Sequence, residues 1–436
     1  MRDLAAERGA DASLKYSARR VEVEDLLDVV DACSARPLFY GENPERGEAV
    51  LGLGSAAAII TSGGDRFSRA EHAAGELFAR LVPDDEHDPA GPHPRLIGGF
   101  GFSPQPVPVH AWREFPPCWL ALPSELWVRS GEQTWCVRIV NEPEAARAPL
   151  HASRELENDA GARATATVAE GAGGWNARVR RVLDLIERGA VEKVVLARHE
   201  TRVLDADADV ASMVRRLRGA RPGCYTFWVS PSETHFFGST PETLVRVTGL
   251  QVETQALAGT AARGDDDAED EAAARTLLAS AKNRREQEAV ARHVRERLEP
   301  IAAAVDAAAE PGLLTVPEAH HLVTPVHALL KRRASALALA GILHPTPAVC
   351  GTPQREANEI IEADERDRGW YTGAVGWINA HGDGAFAVAL RAGVADGRWL
   401  MHWAGAGIVA GSSPAAELEE TEIKLRAVRR ALEAEP

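Results

Sequence analysis

The spacing of apolar positions changes along this 436-residue chain, and the change divides it. Up to about residue 140, apolar runs of mixed period (Val50 to Thr61, Arg95 to Phe102, Trp119 to Arg129) predict strands with short helices between them. An Ala/Glu/Gly-rich stretch over 141–174, weakly periodic and closed by Gly173 and Gly174, reads as a connection. After it the pattern sharpens. Val179, Val182, Leu183 and Ile186 fall at helical spacing in Trp175 to Arg188, and Gly189 stops that helix. A short strand, Lys193 to Arg198, comes next, with further strands at Tyr225 to Val229, Thr234 to Phe237 and Leu244 to Ala256. One long helix is predicted over Ala268 to Leu298. Tyr371 to Val409 alternates, with turn signals at Asn379 to Gly384 and at Ala395 to Gly397, and predicts an antiparallel meander. A last helix runs from about Pro414 to Leu432. Strands joined by hairpins, with helices in separate blocks, indicate an α+β fold. The expected organisation is a flexible lead-in over 1–20, an N-terminal part of the sheet scaffold over 21–170, and a region carrying the chemistry over 175–432.

Composition adds exclusions. Hydrophobic content of 45% with 26% charged residues suits a globular protein with a real core, and no apolar run reaches the roughly 18 residues of a membrane span. Five scattered cysteines, Cys33, Cys118, Cys136, Cys224 and Cys350, include no CxxC pair and read as reduced core thiols of a cytoplasmic protein. A formal net charge of −15 argues against nucleic acid as a partner. The same charge would repel an anionic substrate, so a site for one must gather Arg, Lys, a metal cation or backbone N–H groups locally.

Several positions could carry chemistry. Glu417, Glu420 and Lys424 share one face of the last helix, which alone would suit a solvated charged face. Just before it, Gly405, Ala406 and Gly407 end a strand and let a ligand approach the backbone. GAGIVAG resembles a dinucleotide fingerprint, but only one helix and no second strand follow, so that reading fails. Glu286 on the long helix could join Glu417 and Glu420 in an all-carboxylate site, a hard-oxygen set that suits Mg²⁺. Lys193, if desolvated, could act as a base. Glu242 lies in a turn entering a strand, Gly259 and Thr260 form a turn with donors for a carboxylate, and Arg391 ends a strand.

The order and spacing of these positions carry more than any one of them. EKVVLAR, STPETL, LAGT, the Glu286 helix, HHLVTP with His321, LHPTPAVCGTP, RGWYTGAVGW, Arg391, AGAGIV and ExxExxxK follow one another as in the chorismate-utilising enzymes, and the chain resembles that family over about 175–432. FYGENPERGE and IGGFGF are fainter echoes in the first part. The resemblance implies one large unit of two antiparallel sheets packed together with helices outside, and a monomer. It implies Mg²⁺ on Glu286 and Glu420, with Glu417 behind them, binding the ring carboxylate of chorismate. Arg391, Tyr371, Lys424 and the Gly405, Ala406 and Gly407 backbone would take the enolpyruvyl carboxylate, with Gly259, Thr260 and His321 also on the substrate.

The branch of the family follows from the nucleophile. Folate-type members carry a nucleophilic lysine just before the Gly-Thr turn, where this sequence has Ala258. A lysine in KVVLAR matches the members that use water, with Lys193 as base for attack at C2 and Glu242 as acid for the departing C4 hydroxyl. LHPTPAVCGTP and WYTGAVGW look most like the isochorismate-forming members. The rival expectation is salicylate formation by later loss of pyruvate, and a non-catalytic chorismate binder is the remote one. Three departures stand out: Asn283 where relatives often have an acid, Gln287 where many have His, and Val349 where many have Leu.

Overall fold

The structure, a computed structural model, describes residues 13–33, 35–140, 163–365 and 368–432. Two large sheets, one of 13 strands and one of 10, pack against each other with helices outside, as the α+β expectation had it. All pairings among the described residues are antiparallel except Leu14–Val21 with Leu81–Pro83. Each sheet draws strands from both sides of the 141–174 connection. Leu38–Asn43 pairs with Tyr225–Ser230 in the larger sheet, and Arg95–Phe100 with Ala374–Asn379 in the smaller. Phe39, Val50 and Phe236 from the one meet Leu120, Val245 and Phe386 from the other in a continuous core between the sheets.

Four local expectations are corrected. Leu14–Val21, placed in the lead-in, is a strand paired along its length with Gln133–Val140. Its alternate residues Leu14, Tyr16 and Ala18 are buried, and that period was hidden by the Arg/Lys content. Ala164–Ala169, taken as connection, pairs with Lys193–Leu204, while residues 141–162 lie outside the described ones. The strand Leu244 to Ala256 is a hairpin, Thr243–Thr248 and Gln251–Ala262, turned at Gly249 with φ +61°. The long helix is two, Asp267–Ala279 and Ala281–Leu298. Ser280 stays extended between them, and its hydroxyl accepts from the Asn283 N–H, which starts the second helix afresh.

The predicted meander is also redistributed. Ala374–Asn379 and Gly384–Val388 form a hairpin of the smaller sheet, whereas Ala392–Asp396 and Trp399–Val409 form one of the larger. The chain changes sheet over residues 389–391. Arg391, at that crossing, adopts φ +48°, and Thr372, whose N–H donates to the Ala389 carbonyl at 2.8 Å, has φ +62°. Two non-glycine residues in the left-handed region, one of them β-branched, are held by surroundings that over-determine them. They meet where the two sheets open.

Candidate active site

A cavity with about 560 Å³ of atom-free space lies at this crossing, walled by both sheets and the helices Ala281–Leu298 and Pro414–Leu432. Lys193–Leu204 pairs with Trp399–Val409 in a register that sets Val195 opposite Gly407 and Ala197 opposite Gly405. Strand alternation points Gly405 and Gly407 at the cavity and sends Leu196, Ala406 and Ile408 to the outer face, into a cluster under the helix Ala172–Glu187. Ala406, expected to meet the substrate through its backbone, turns its side chain away from the cavity. Gly407 has a steric reason to be glycine. A Cβ there would lie 2.6 Å from Glu286 Oε1 and 2.9 Å from Lys193 Cε. The space holds an ion pair instead, Lys193 Nζ to Glu286 Oε1 at 2.9 Å, with the lysine 3% exposed.

Glu286 is aimed by its neighbour. Gln287, fully buried, donates to the Ala256 carbonyl at 2.9 Å and to the Thr324 hydroxyl at 3.1 Å, which pins the helix Ala281–Leu298 on the sheet. Asn283 packs over Gly259, which has φ +78°. The helix Pro414–Leu432 is anchored by buried Arg198, whose Nε donates to the Thr421 hydroxyl at 2.7 Å. Lys424 then spans Glu420 at 2.5 Å and the Gly405 carbonyl at 2.9 Å. Glu417 is buried behind the wall, with Lys282 at 2.9 Å. Its carboxyl is raised by burial and by the Glu420 charge, against Lys282 and Ser412. Among the described residues no three carboxylates, imidazoles or thiols converge into a ready metal cage.

Glu242 stands apart. It is 3% exposed and among the described residues pairs with no cation directly; burial pushes its carboxyl up to about 7 despite the charges of Arg391, Lys193 and Lys424 and a nearby Thr346 hydroxyl. Its carbonyl accepts from the Val388 N–H at 3.0 Å, tying the acid to the crossing segment. Arg391 donates to His321 Nε2 at 2.8 Å, and His321 Nδ1 lies 3.1 Å from the Thr260 hydroxyl. Burial and the charges of Arg391 and Lys424 hold this imidazole well below its usual range, so it is neutral. Accepting at Nε2, it carries its proton on Nδ1, toward the Thr260 hydroxyl and the Gly259 carbonyl. Tyr371, pushed up to about 12 by burial and stacked on Trp403, is a neutral donor.

Most of the residues singled out from the sequence thus meet in one place: Glu242, Gly259, Thr260, Glu286, His321, Tyr371, Arg391, Gly405, Gly407, Glu420 and Lys424 line the cavity, with Lys193 against it. Val195, Leu257, Ala258, Ala348, Val349, Thr372 and Leu390 complete the wall, and Thr346 and Arg198 support it. Of the apolar wall residues only Ala258 and Val349 carried a signal in the sequence, because such residues read like core.

Residues 4–433 match the family described as chorismate binding enzyme. The chain belongs to the chorismate-binding enzyme family. Among its relatives in that family, the salicylate biosynthesis isochorismate synthase of Pseudomonas aeruginosa is 36% identical over 430 residues, covering 94% of this chain and 88% of that protein. Isochorismate synthase MenF of Bacillus subtilis is 29% identical over 426 residues, covering 90% and 87%. The solved structure of MenF, the menaquinone-specific isochorismate synthase of Escherichia coli, superposes with a TM-score of 0.81 at 24% identity over 97% of this chain and 95% of that one. The two-sheet scaffold with its outer helices is therefore that of the chorismate-binding enzymes.

Proposed function

We propose that this chain converts chorismate to isochorismate, with Mg²⁺ as its metal. The observation that carries the reading is a buried carboxyl held near 7, Glu242, in a cavity that it shares with the cations Arg391 and Lys424 and that buried Lys193 borders. Lys193 takes a proton from the water that attacks C2, and Glu242 gives its proton to the departing C4 hydroxyl while the ring double bonds shift. Each transfer contributes ~10²–10⁴ in rate. Arg391 can grip a carboxylate with two N–H groups, and the Thr260 and Tyr371 hydroxyls add donors beside it. These cations and donors are concentrated in a chain of net charge −15, which is the local condition an anionic substrate requires.

The residues fit a magnesium ion. The donors are all carboxylate oxygens, and Glu417 and Glu420 lie close enough for the charge of one to act on the other. A preformed cage is not needed, because Mg²⁺ keeps waters and binds through one or two carboxylates plus the substrate's own anionic groups. Glu286 and Glu420 would hold it with Glu417 behind, and the ion would supply positive charge to the ring carboxylate. Glu286 cannot serve Lys193 and a metal fully at once, so a bound ion would weaken that pair and leave the lysine available as a base. The free thiols are in keeping with a cytoplasmic setting.

The test is product analysis of the purified protein with chorismate and Mg²⁺, beside Lys193→Ala. Isochorismate without pyruvate, lost in the variant, is expected. Salicylate with stoichiometric pyruvate would transfer the reading to the rival reaction, and full activity in the variant would remove Lys193 from the mechanism.

A further inference from the structure

A second cavity, with about 670 Å³ of atom-free space partly open to solvent, lies between the start of the helix Arg66–Phe78 and the start of the helix Gln354–Asp364. Arg66, Phe67, Phe102 and His344 wall it, with Arg355 and Asn358 at its rim. None of these belongs to the catalytic cavity. Arg66 is the unusual member. It is only 6% exposed, yet it faces no carboxylate among the described residues; one Nη shares two long bonds of 3.3 Å to the Gly101 and Phe102 carbonyls, and Nε has no partner. Burial lowers its pKa to about 10, which still leaves it charged at neutral pH. A buried charge without a counter-ion is costly, and the missing partner here is an anion.

The walls narrow the class of anion. Phe67 stacks on Phe100 with centroids 4.0 Å apart, and His344 lies 5.8 Å from Phe67 and 6.3 Å from Phe102. His344 is buried, and neither ring nitrogen has a hydrogen bond of ordinary geometry. Burial and the Arg66 charge push it down to about 3, against a weak opposite pull from the Phe102 carbonyl, so it is neutral and offers one donor and one acceptor. The Arg66 guanidinium lies over the Phe67 ring at 4.9 Å, and this charge among aromatic rings, with a neutral imidazole beside it, suits a flat, apolar molecule with a carboxylate. We propose that this cavity is a second binding site, for a small aromatic carboxylate.

The site also has a route to the catalytic cavity. His344 lies four residues before Ala348, and Ala348 and Val349 wall the catalytic cavity, while Thr346 between them faces Glu242. A ligand against His344 would press on a segment that borders the substrate, so occupancy is expected to change turnover without competing for the substrate's own contacts.

Titration of the full chain with benzoate by calorimetry, beside acetate and inorganic phosphate, tests this without depending on the reaction assigned above. Saturable benzoate binding is expected, weakened at least about tenfold in Arg66→Gln and retained in Arg391→Ala. Should Arg66→Gln not fold, Asn358→Phe at the rim fills the slot from outside and is expected to block binding. Binding lost in Arg391→Ala and kept in the Arg66 or Asn358 variant would place benzoate in the catalytic cavity and overturn the proposal. Equal binding of acetate or phosphate would overturn the aromatic class, and no saturable binding would overturn the site.

Discussion

Glutamates occupy two regions of the cavity under opposite rules. On the helix side, Glu286, Glu420 and Glu417 each have a lysine, at 2.9, 2.5 and 2.9 Å. Across from them Glu242 has no direct cation, and desolvation outweighs three more distant positive charges. The residue type is the same, and what separates an oxygen ligand for a metal from a proton donor is whether the fold supplies a counter-charge before it removes water. Each carboxylate of the first group has a lysine whose place a metal cation could take. The crossing segment buries Glu242 with none.

Removing the donor should therefore have the largest effect. Glu242→Gln keeps shape and hydrogen bonding but cannot give a proton, and kcat is expected to fall by ~10³ or more while the fold stays intact. Steady-state turnover beside a circular-dichroism spectrum checks both halves. A variant retaining more than a tenth of the rate would break the comparison.

The same substitution sharpens it through stability. A folded pKa of about 7 against 4.5 means that the folded protein holds a proton the unfolded chain has released. That contribution is complete below about pH 4.5 and is lost as pH rises through 7, so the wild type is penalised by on the order of 3 kcal/mol at alkaline pH. Glu242→Gln should therefore match the wild type near pH 4.5 and melt higher near pH 8. The activity of the wild type should fall across the same limb, because the acid must be protonated to act. Parallel melting curves at both pH values would show that the carboxyl is not held up by burial.

On the lysine-paired side the expected loss is smaller and of another kind. Glu417→Gln removes a charge behind the metal ligands, so apparent Mg²⁺ affinity should fall ~10–100-fold, with kcat recovering at saturating metal. Calorimetric Mg²⁺ titration without substrate reads the affinity directly. Unchanged affinity would separate Glu417 from the metal group.

How far this contrast was legible in the sequence depends on what carried it. The residues themselves were, because the ordered motifs name both sets of glutamates, and the last helix begins and ends where its Pro414 and apolar period place it. Their environments were not. Nothing local says that Tyr371 to Val409 is shared between two sheets, since both hairpins alternate alike, and it is that division which buries Glu242 beside Arg391. The glycine-rich run suggests close backbone approach, and only the period of two adds that the Ala406 side chain turns outward. Leu14–Val21 was missed because Lys15 and Arg19 on its outer face, with Arg20 breaking the inner one, masked a buried alternation.

The break at Ser280 escaped because a serine within a run of good helix formers reads as tolerated, whereas here it caps a second helix. That cap supports the lysine-paired side of the comparison, since it sets where the helix bearing Glu286 begins, six residues before it. Ser280 accepts from the Asn283 N–H at 3.3 Å and from its side-chain amide at 3.0 Å, and Asn283 in turn packs over Gly259. Ser280→Ala should cost about 1 kcal/mol of stability, the usual value of a lost cap. Because the start of the Glu286 helix is loosened while Glu242 is untouched, the melting temperature and apparent Mg²⁺ affinity should drop slightly together, and the alkaline limb of the pH profile should not move. A shifted limb would mean that the two carboxylate regions are mechanically coupled through Gly259, and the division between them would have to be redrawn.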